Sequence, residues 1–214
     1  MKQLANLSKL DSATFFDKTT LQRLVEVGDQ SLYSNIKRWL KNGTIISLKK
    51  GLYVTKEFLS AYENKQTYNE FVANILKKPS YLSGEYVLQK YGMMTESIFA
   101  FTSVTIKKPR IYNNKLGSFV YSNIKPELFM GFEIVTRNGL EIKEATKVKA
   151  LFDFLYFRLR LAPKISKEIL RDLRLNLSEL TNRDIDELQK YVDLSNVNKL
   201  NNLTSLLKEV AYVA

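Results

Sequence analysis

The chain reads as an α+β protein: an N-terminal winged helix-turn-helix, then a mixed or antiparallel-sheet domain with helices, and a helical C-terminal tail. Three observations predict this. A stretch with helical periodicity, residues 31–42, runs directly into two short β-branched segments around Lys49-Lys50-Gly51. Several β-rich segments follow between residues 97 and 143. From residue 146 to the end, apolar residues recur at helical spacing again.

At the front, Leu4, Leu7 and Leu10 predict a first amphipathic helix. Phe15-Phe16 supplies an apolar anchor, and Asp17, Thr19 and Thr20 are capping candidates for the helix LQRLVEV. Gly28-Asp29 then turns the chain into the next helix. There Leu32, Ile36, Trp39 and Leu40 share one face, while Ser34, Lys37, Arg38 and Lys41 point the other way, and Gly43 ends the run. The segment TIISLKKGLYVT is a hairpin with Lys49 and Lys50 expected at its tip. Helix, helix, hairpin suits duplex DNA, because a helix fits the major groove and cations on a wing meet flanking phosphates. Ser31, Tyr33, Ser34, Lys37 and Arg38 are therefore the candidate base-reading residues. Lys41, Lys49 and Lys50 are candidate phosphate contacts, and Trp39 is assigned to the core.

A boundary near residue 60 divides a winged helix-turn-helix domain, 1–60, from an α+β domain, 61–214, with a helical extension from about 161. The segment EFLSAYENKQTYNE is poor in Gly and Pro, which predicts a helical connector rather than a floppy linker. FVANILKKPSYLSGEYVLQKYG reads as a helix, a Lys-Lys-Pro break and a second helix capped near Ser83 and ended at Gly92. The segments SIFAFTSVTIKK, RIYNN, LGSFVYSNI, FMGFEIVTR and LEIK are the strands. Asn138-Gly139 between the last two is a strong hairpin signal, since both central residues of such a turn need positive φ. Thr146 to Leu159 is a long helix with a broad apolar stripe to cover the sheet. In the tail, Ile165, Ile169 and Leu173 mark one helix, Ile185 and Leu188 a short second one, and Val197 to Val210 the last. Their spacing is that of core packing.

Charge sharpens the functional expectation. The 214 residues carry 33 Lys and Arg against 22 Asp and Glu, a net charge of +11, a field that attracts polyanions. Residues 1–56 hold 10 basic and 4 acidic side chains, residues 57–160 hold 15 and 10, and residues 161–214 hold 8 of each. The first two segments are thus expected to face an anion and the last is not. With no Cys and no His, disulfides, thiolate chemistry and the commonest metal ligand and general base are missing. Neither a signal-peptide core nor an apolar run of membrane length is present, so the expectation is a cytoplasmic protein with no membrane partner.

Lys107, Lys108 and Arg110 flank Pro109, which interrupts a regular strand and exposes its neighbours. With Lys125, Arg137, Lys143, Lys147 and Lys149 they form the candidate second phosphate-contacting surface, of which Lys107, Lys108, Arg110, Lys125 and Lys149 are the chosen site residues. Asp153, set between Phe152 and Phe154, is expected to be a paired structural carboxylate. Two alternatives stand beside DNA binding. Glu127 and the Glu141-Ile142-Lys143 step match the acid-x-Lys pattern of metal-dependent nucleases, which would make the chain a DNA-processing enzyme. A basic module for protein or RNA interaction is the other. The favoured reading has no catalytic activity, no cofactor and no metal.

Several of these segments together resemble one known family. The basic winged helix, KKPSYLSGEYVLQKYGMMTES, FAFTSVTIKKPR, FVYSNIKPELFMGFEIV and ATKVKALFDFLYFRLR are similar to the AbiEi antitoxins, transcriptional regulators of type IV abortive-infection toxin-antitoxin pairs. The resemblance spans about residues 2–160; its most specific parts are Tyr81-Leu82-Ser83, Tyr91-Gly92, Thr102 to Thr105 with Lys107-Lys108, Ile124-Lys125-Pro126, and Lys149-Ala150-Leu151 leading to Asp153. It implies a phage-defence repressor that binds operator repeats in double-stranded DNA upstream of its own operon. It also implies an antitoxin that counters a nucleotidyltransferase-like toxin without a stable complex. The expected assembly is a monomer or weak dimer, cooperative on DNA.

Overall fold

The computed structural model describes residues 7–26, 28–162, 164–178 and 180–211. Leu4 of the expected first helix lies outside them; Leu7 and Leu10 are buried beside a short 3-10 turn, Ser8–Leu10. Strand β1 (Phe16–Asp17) leads straight into α1 (Lys18–Val25), because the Asp17 carboxylate accepts the Thr20 N–H at 2.8 Å and caps the helix. Helix α2 (Asp29–Lys41) follows, and then the hairpin β2 (Ile45–Lys49) and β3 (Leu52–Thr55). The strands form a small sheet in the order β1-β3-β2. Leu21, Leu32, Ile36, Trp39 and Ile45 fill the core under it, with Trp39 1% exposed.

Thr55 caps α3 (Lys56–Ala61) and Asn64 caps α4 (Lys65–Leu76), so the connector is helical as its composition predicts. It is not a spacer. Leu48, Leu52 and Val54 of the hairpin pack into the larger core together with Phe58, Tyr68 and Val72. Tyr68 also donates its hydroxyl to the Thr14 carbonyl at 2.7 Å. Shared packing of this kind ties the two halves of the chain together across residue 60.

The larger sheet has the order β6-β7-β5-β4-β9-β8, from β4 (Tyr81–Leu82), β5 (Ala100–Thr105), β6 (Arg110–Asn114), β7 (Gly117–Asn123), β8 (Phe132–Arg137) and β9 (Leu140–Ala145). It is mixed: β5 runs parallel to β7 and β4 parallel to β9, while the other pairs are antiparallel. Asn138 (φ 49°) and Gly139 (φ 78°) make the β8–β9 turn with positive φ at both centres. The two-residue β4 was not expected from the sequence, and it alone joins the two groups of three and two strands. Where β4 stops, Asn74 of α4 takes over as β9's neighbour. Its side-chain amide accepts the Lys143 N–H and donates to the Lys143 carbonyl. Gly84, not Ser83, occupies the N-cap of α5 (Glu85–Lys90).

Helix α6 (Lys147–Leu159) is buried on nearly every side instead of presenting one stripe. One flank meets α5 and β9, and the other is covered by α8 (Asn182–Ser195), with α7 (Lys167–Asp172) and α9 (Leu203–Ala211) completing the tail. The tail is core packing, as its periodicity predicts, although α8 is longer than expected. Inside α6, the Lys149 ammonium meets the Asp153 carboxylate at 2.6 Å with both side chains fully buried. The other Asp153 oxygen accepts the Ser83 hydroxyl at 2.7 Å and the Tyr81 hydroxyl at 3.0 Å. Asp153 is therefore the structural carboxylate the sequence suggests. Removing one member of a buried pair leaves an uncompensated charge, so Asp153→Ala should lose about 3 to 5 kcal/mol of stability in urea unfolding at neutral pH. Replacing both members, as in Lys149→Met with Asp153→Leu, should lose clearly less than the sum of the single changes.

Candidate nucleic-acid interface

Helix α2 divides cleanly between core and solvent. Leu32, Asn35, Ile36 and Trp39 are buried, while Ser31, Tyr33, Ser34, Lys37, Arg38 and Lys41 are exposed. Local contacts hold several of the exposed groups. Ser34 donates to the Gln30 carbonyl at 3.2 Å, one Arg38 nitrogen donates to Asn35 Oδ1 at 2.9 Å, and the Lys18 ammonium sits 4.2 Å from the Tyr33 ring centre. Lys18 is in turn paired with Asp29 at 3.0 Å, so the acid at the start of α2 is neutralised locally. The rest of the exposed face carries hydroxyls, an amide and three cations.

The hairpin turn places the two lysines differently. Lys49 pairs with Leu52 across the hairpin, which leaves Lys50 and Gly51 (φ 81°) as the turn itself. Lys50 is exposed at the tip. Lys49 is half-buried and donates its ammonium to the Leu76 carbonyl at the end of α4, 2.7 Å away. Its expected role as a tip phosphate contact is corrected: the side chain is committed to a helix C-terminus, where a cation offsets the unpaired carbonyls.

The second set of expected phosphate contacts separates in the same way. Lys107, Lys108 and Arg110 are exposed and make no ion pair among the described residues. Lys149 is 0% exposed and paired with Asp153, so it is overturned as a DNA contact. Three rings surround its ammonium: Phe152, Tyr191 and Tyr81, with centres at 4.8, 5.2 and 5.9 Å. Lys125 is exposed, but its ammonium donates to the Ser195 carbonyl at the end of α8 at 3.1 Å, a second helix-end contact and not a free cation. Of the supporting cations, Lys147 pairs with Asp184 at 2.8 Å, and Arg137 bridges two buried carboxylates, Glu70 at 2.9 Å and Glu144 at 2.8 Å. Glu127 lies in a 3-10 turn and Glu141 and Lys143 on β9; among the described residues no group of three or more His, Cys, Asp or Glu side chains could hold a metal ion. Among the described residues no helix is long and apolar enough to cross a membrane.

Three cations without an ion pair among the described residues converge: Lys50, Arg110 and Lys115. β2 is an edge of the small sheet and β6 an edge of the larger one, and the two edges meet where the Asn114 amide donates to the Leu48 carbonyl at 2.8 Å. They bound a cleft of about 690 Å³ lined by Leu40 at the end of α2, by Ile45 to Lys50, and by Arg110 to Lys115. Among the described residues no acidic side chain lines it. Lys115 and Tyr112 were not expected as site residues. Lys115 stands alone in sequence in the turn between β6 and β7, and only the fold brings β6 against β2.

Glu144 connects this framework to pH. Burial pushes its carboxyl up, but hydrogen bonds from Arg137 and Lys90 outweigh burial and hold it below the ordinary glutamate range. A depressed folded value adds stability that is present above the unfolded value, near pH 4.3, and is lost as pH falls through the folded one. Thermal unfolding followed from pH 6 to pH 3 should show stability declining below about pH 4.3. In Arg137→Met, part of that decline should already be present at pH 6. Neither any protein-family model nor any curated protein matches the chain.

Proposed function

We propose that this protein is a DNA-binding transcriptional repressor and antitoxin whose first 60 or so residues act as a winged helix-turn-helix. In this reading α2 enters the major groove and presents Ser31, Tyr33, Ser34, Lys37 and Arg38 to base edges. Lys41 and Lys50 meet flanking phosphates, and Lys107, Lys108 and Arg110 extend the phosphate track onto the second half of the chain. The observation that carries the reading is the cleft beside the end of α2, where Lys50 of the hairpin tip and Arg110 and Lys115 at the β6 edge adjoin with no acidic lining residue and no ion pair among the described residues. A polyanion is the ligand that such uncompensated charge favours.

The antitoxin role follows from the resemblance to the AbiEi antitoxins. The motif residues Tyr81, Ser83, Lys149 and Asp153 all belong to one buried cluster, so in this chain they support the second half of the fold and leave its surface to differ. The proposed partner is a nucleotidyltransferase-like toxin from the same operon, opposed without a stable complex in the cytoplasm.

Gel shift of the full-length protein on DNA from upstream of its own gene, against random duplex, tests the first part. Arg38→Ala or Ser34→Ala should lower specific affinity by roughly 1 to 3 kcal/mol and leave random-sequence binding unchanged. Lys50→Ala should weaken both and reduce the salt slope by about 0.9. Equal loss on both duplexes in the α2 variants would remove α2 as the reader. For the second part, co-expression should restore growth of cells arrested by the neighbouring toxin; absence of rescue by a folded protein overturns the antitoxin role.

A further inference from the structure

Beside the large cleft, and sharing Lys49 and Tyr112 with it, lies a smaller one of about 350 Å³. Ile75, Leu76 and Lys77 at the end of α4, Lys78, and Lys107 after β5 complete its lining. Four of its seven lining residues are lysines and none is acidic. Lys77, Lys78 and Lys107 come from two separate stretches of chain and form no ion pair among the described residues. They are close enough to act on one another. Burial, then Arg110 and Lys107, hold the Lys77 ammonium below its ordinary value, and burial, then Lys77, Lys78 and Lys107, do the same to Lys49.

Four ammonium groups gathered without a counter-charge repel one another, and the folded protein carries that repulsion unrelieved. Solubility alone does not call for such convergence, because cations that protect a sheet edge do so equally well when spread apart. An anion with several oxygens relieves all four at once. Lys49 is already fixed by its bond to the Leu76 carbonyl, so the site is partly organised before any ligand arrives. Arg110, 5.4 Å over the Tyr112 ring, closes the rim shared with the larger cleft.

We propose that Lys77, Lys78 and Lys107, with Lys49 as the fixed wall, form a phosphate-binding site. Its ligand is a phosphate group, either a phosphodiester of the duplex or a free polyphosphate. The duplex source rests on the DNA-binding reading; the free source does not.

The probes are pyrophosphate and a duplex from upstream of the gene, and the variant is Lys77→Gln with Lys78→Gln in the full-length protein. Both positions lie at the surface or half-buried, and unfolding curves confirm that the variant is folded. If the ligand is the duplex backbone, the variant should bind duplex at least about tenfold more weakly at 0.1 M salt, with the salt slope reduced by about 1.8 for two lost contacts, and pyrophosphate should not bind wild type measurably by calorimetry. If the ligand is a free polyphosphate, pyrophosphate should bind wild type and be lost in the variant while duplex affinity is unchanged. Wild-type duplex affinity and slope in the variant, with no pyrophosphate binding to wild type or with equal binding to both proteins, overturns the site. Failure of the DNA reading looks different. Wild type then binds no duplex, and the pyrophosphate comparison alone decides.

Discussion

The buried pair Lys149–Asp153 is the constraint on which the second half of the molecule depends. Its two charges sit one turn apart on α6, and α6 is the helix around which α5, β9 and α8 are packed. Within that interior, Asp153 uses its second oxygen to hold Tyr81 and Ser83, one on β4 and one just past it. A two-residue strand has little pairing of its own, yet β4 is what joins β5 to β9. The carboxylate thus fixes the weakest link of the sheet to its central helix. Burial opposes both charges, pushing Asp153 up and Lys149 down, while each partner opposes that shift in the other. Isolated, either ion would be costly; with three donors around the acid and three rings around the ammonium, both are accommodated.

The packing around this pair explains a glycine. At Gly131, with φ 73°, an added Cβ would stand 2.2 Å from the Tyr191 hydroxyl and 3.0 Å from the Lys149 side chain. The chain must pass that close to enter β8, and Phe132 then stacks on Tyr81 with ring centres 4.6 Å apart. A second charged cluster closes the sheet's other flank, where Glu70 and Glu144 share Arg137 and Lys90, and Tyr86 donates to Glu70 at 2.7 Å. Two buried acids matched by two cations leave no net charge there. The molecule's excess of positive charge is therefore displaced outward, and part of it gathers at the β2–β6 edges.

Much of the architecture was legible in the sequence because it rests on local rules. Asp17 caps α1, Asn138-Gly139 makes its hairpin, and Trp39 lies in the core, each as its neighbours in sequence indicate. What could not be read is what depends on residues far apart. β4 is too short to show a period, and Ser83 looks like a helix cap until Asp153, 70 residues on, takes its hydroxyl. The same limit governs the cations. A lysine in a basic run looks identical whether it ends without an ion pair among the described residues, as Lys107 does, or on a helix terminus, as Lys49 and Lys125 do, or in the interior, as Lys149 does. Composition counts charges, but only packing decides which remain uncompensated.

That distinction bears on how the two halves act. Lys49 reaches from the hairpin to the end of α4, Asn114 reaches from β6 to the hairpin, and Leu48, Leu52 and Val54 lie in the larger core. A hairpin held at three places cannot swing on a linker, so the cations on its tip and those on β6 keep a fixed spacing. Prior ordering of this kind lowers the entropy lost when a rigid polyanion is bound, because the contacts need not be assembled one by one. It also means that a substitution in the hairpin core acts on both basic surfaces together. In a chain joined by a flexible linker the two would respond independently; here, Leu48 and Asn114 make them one surface.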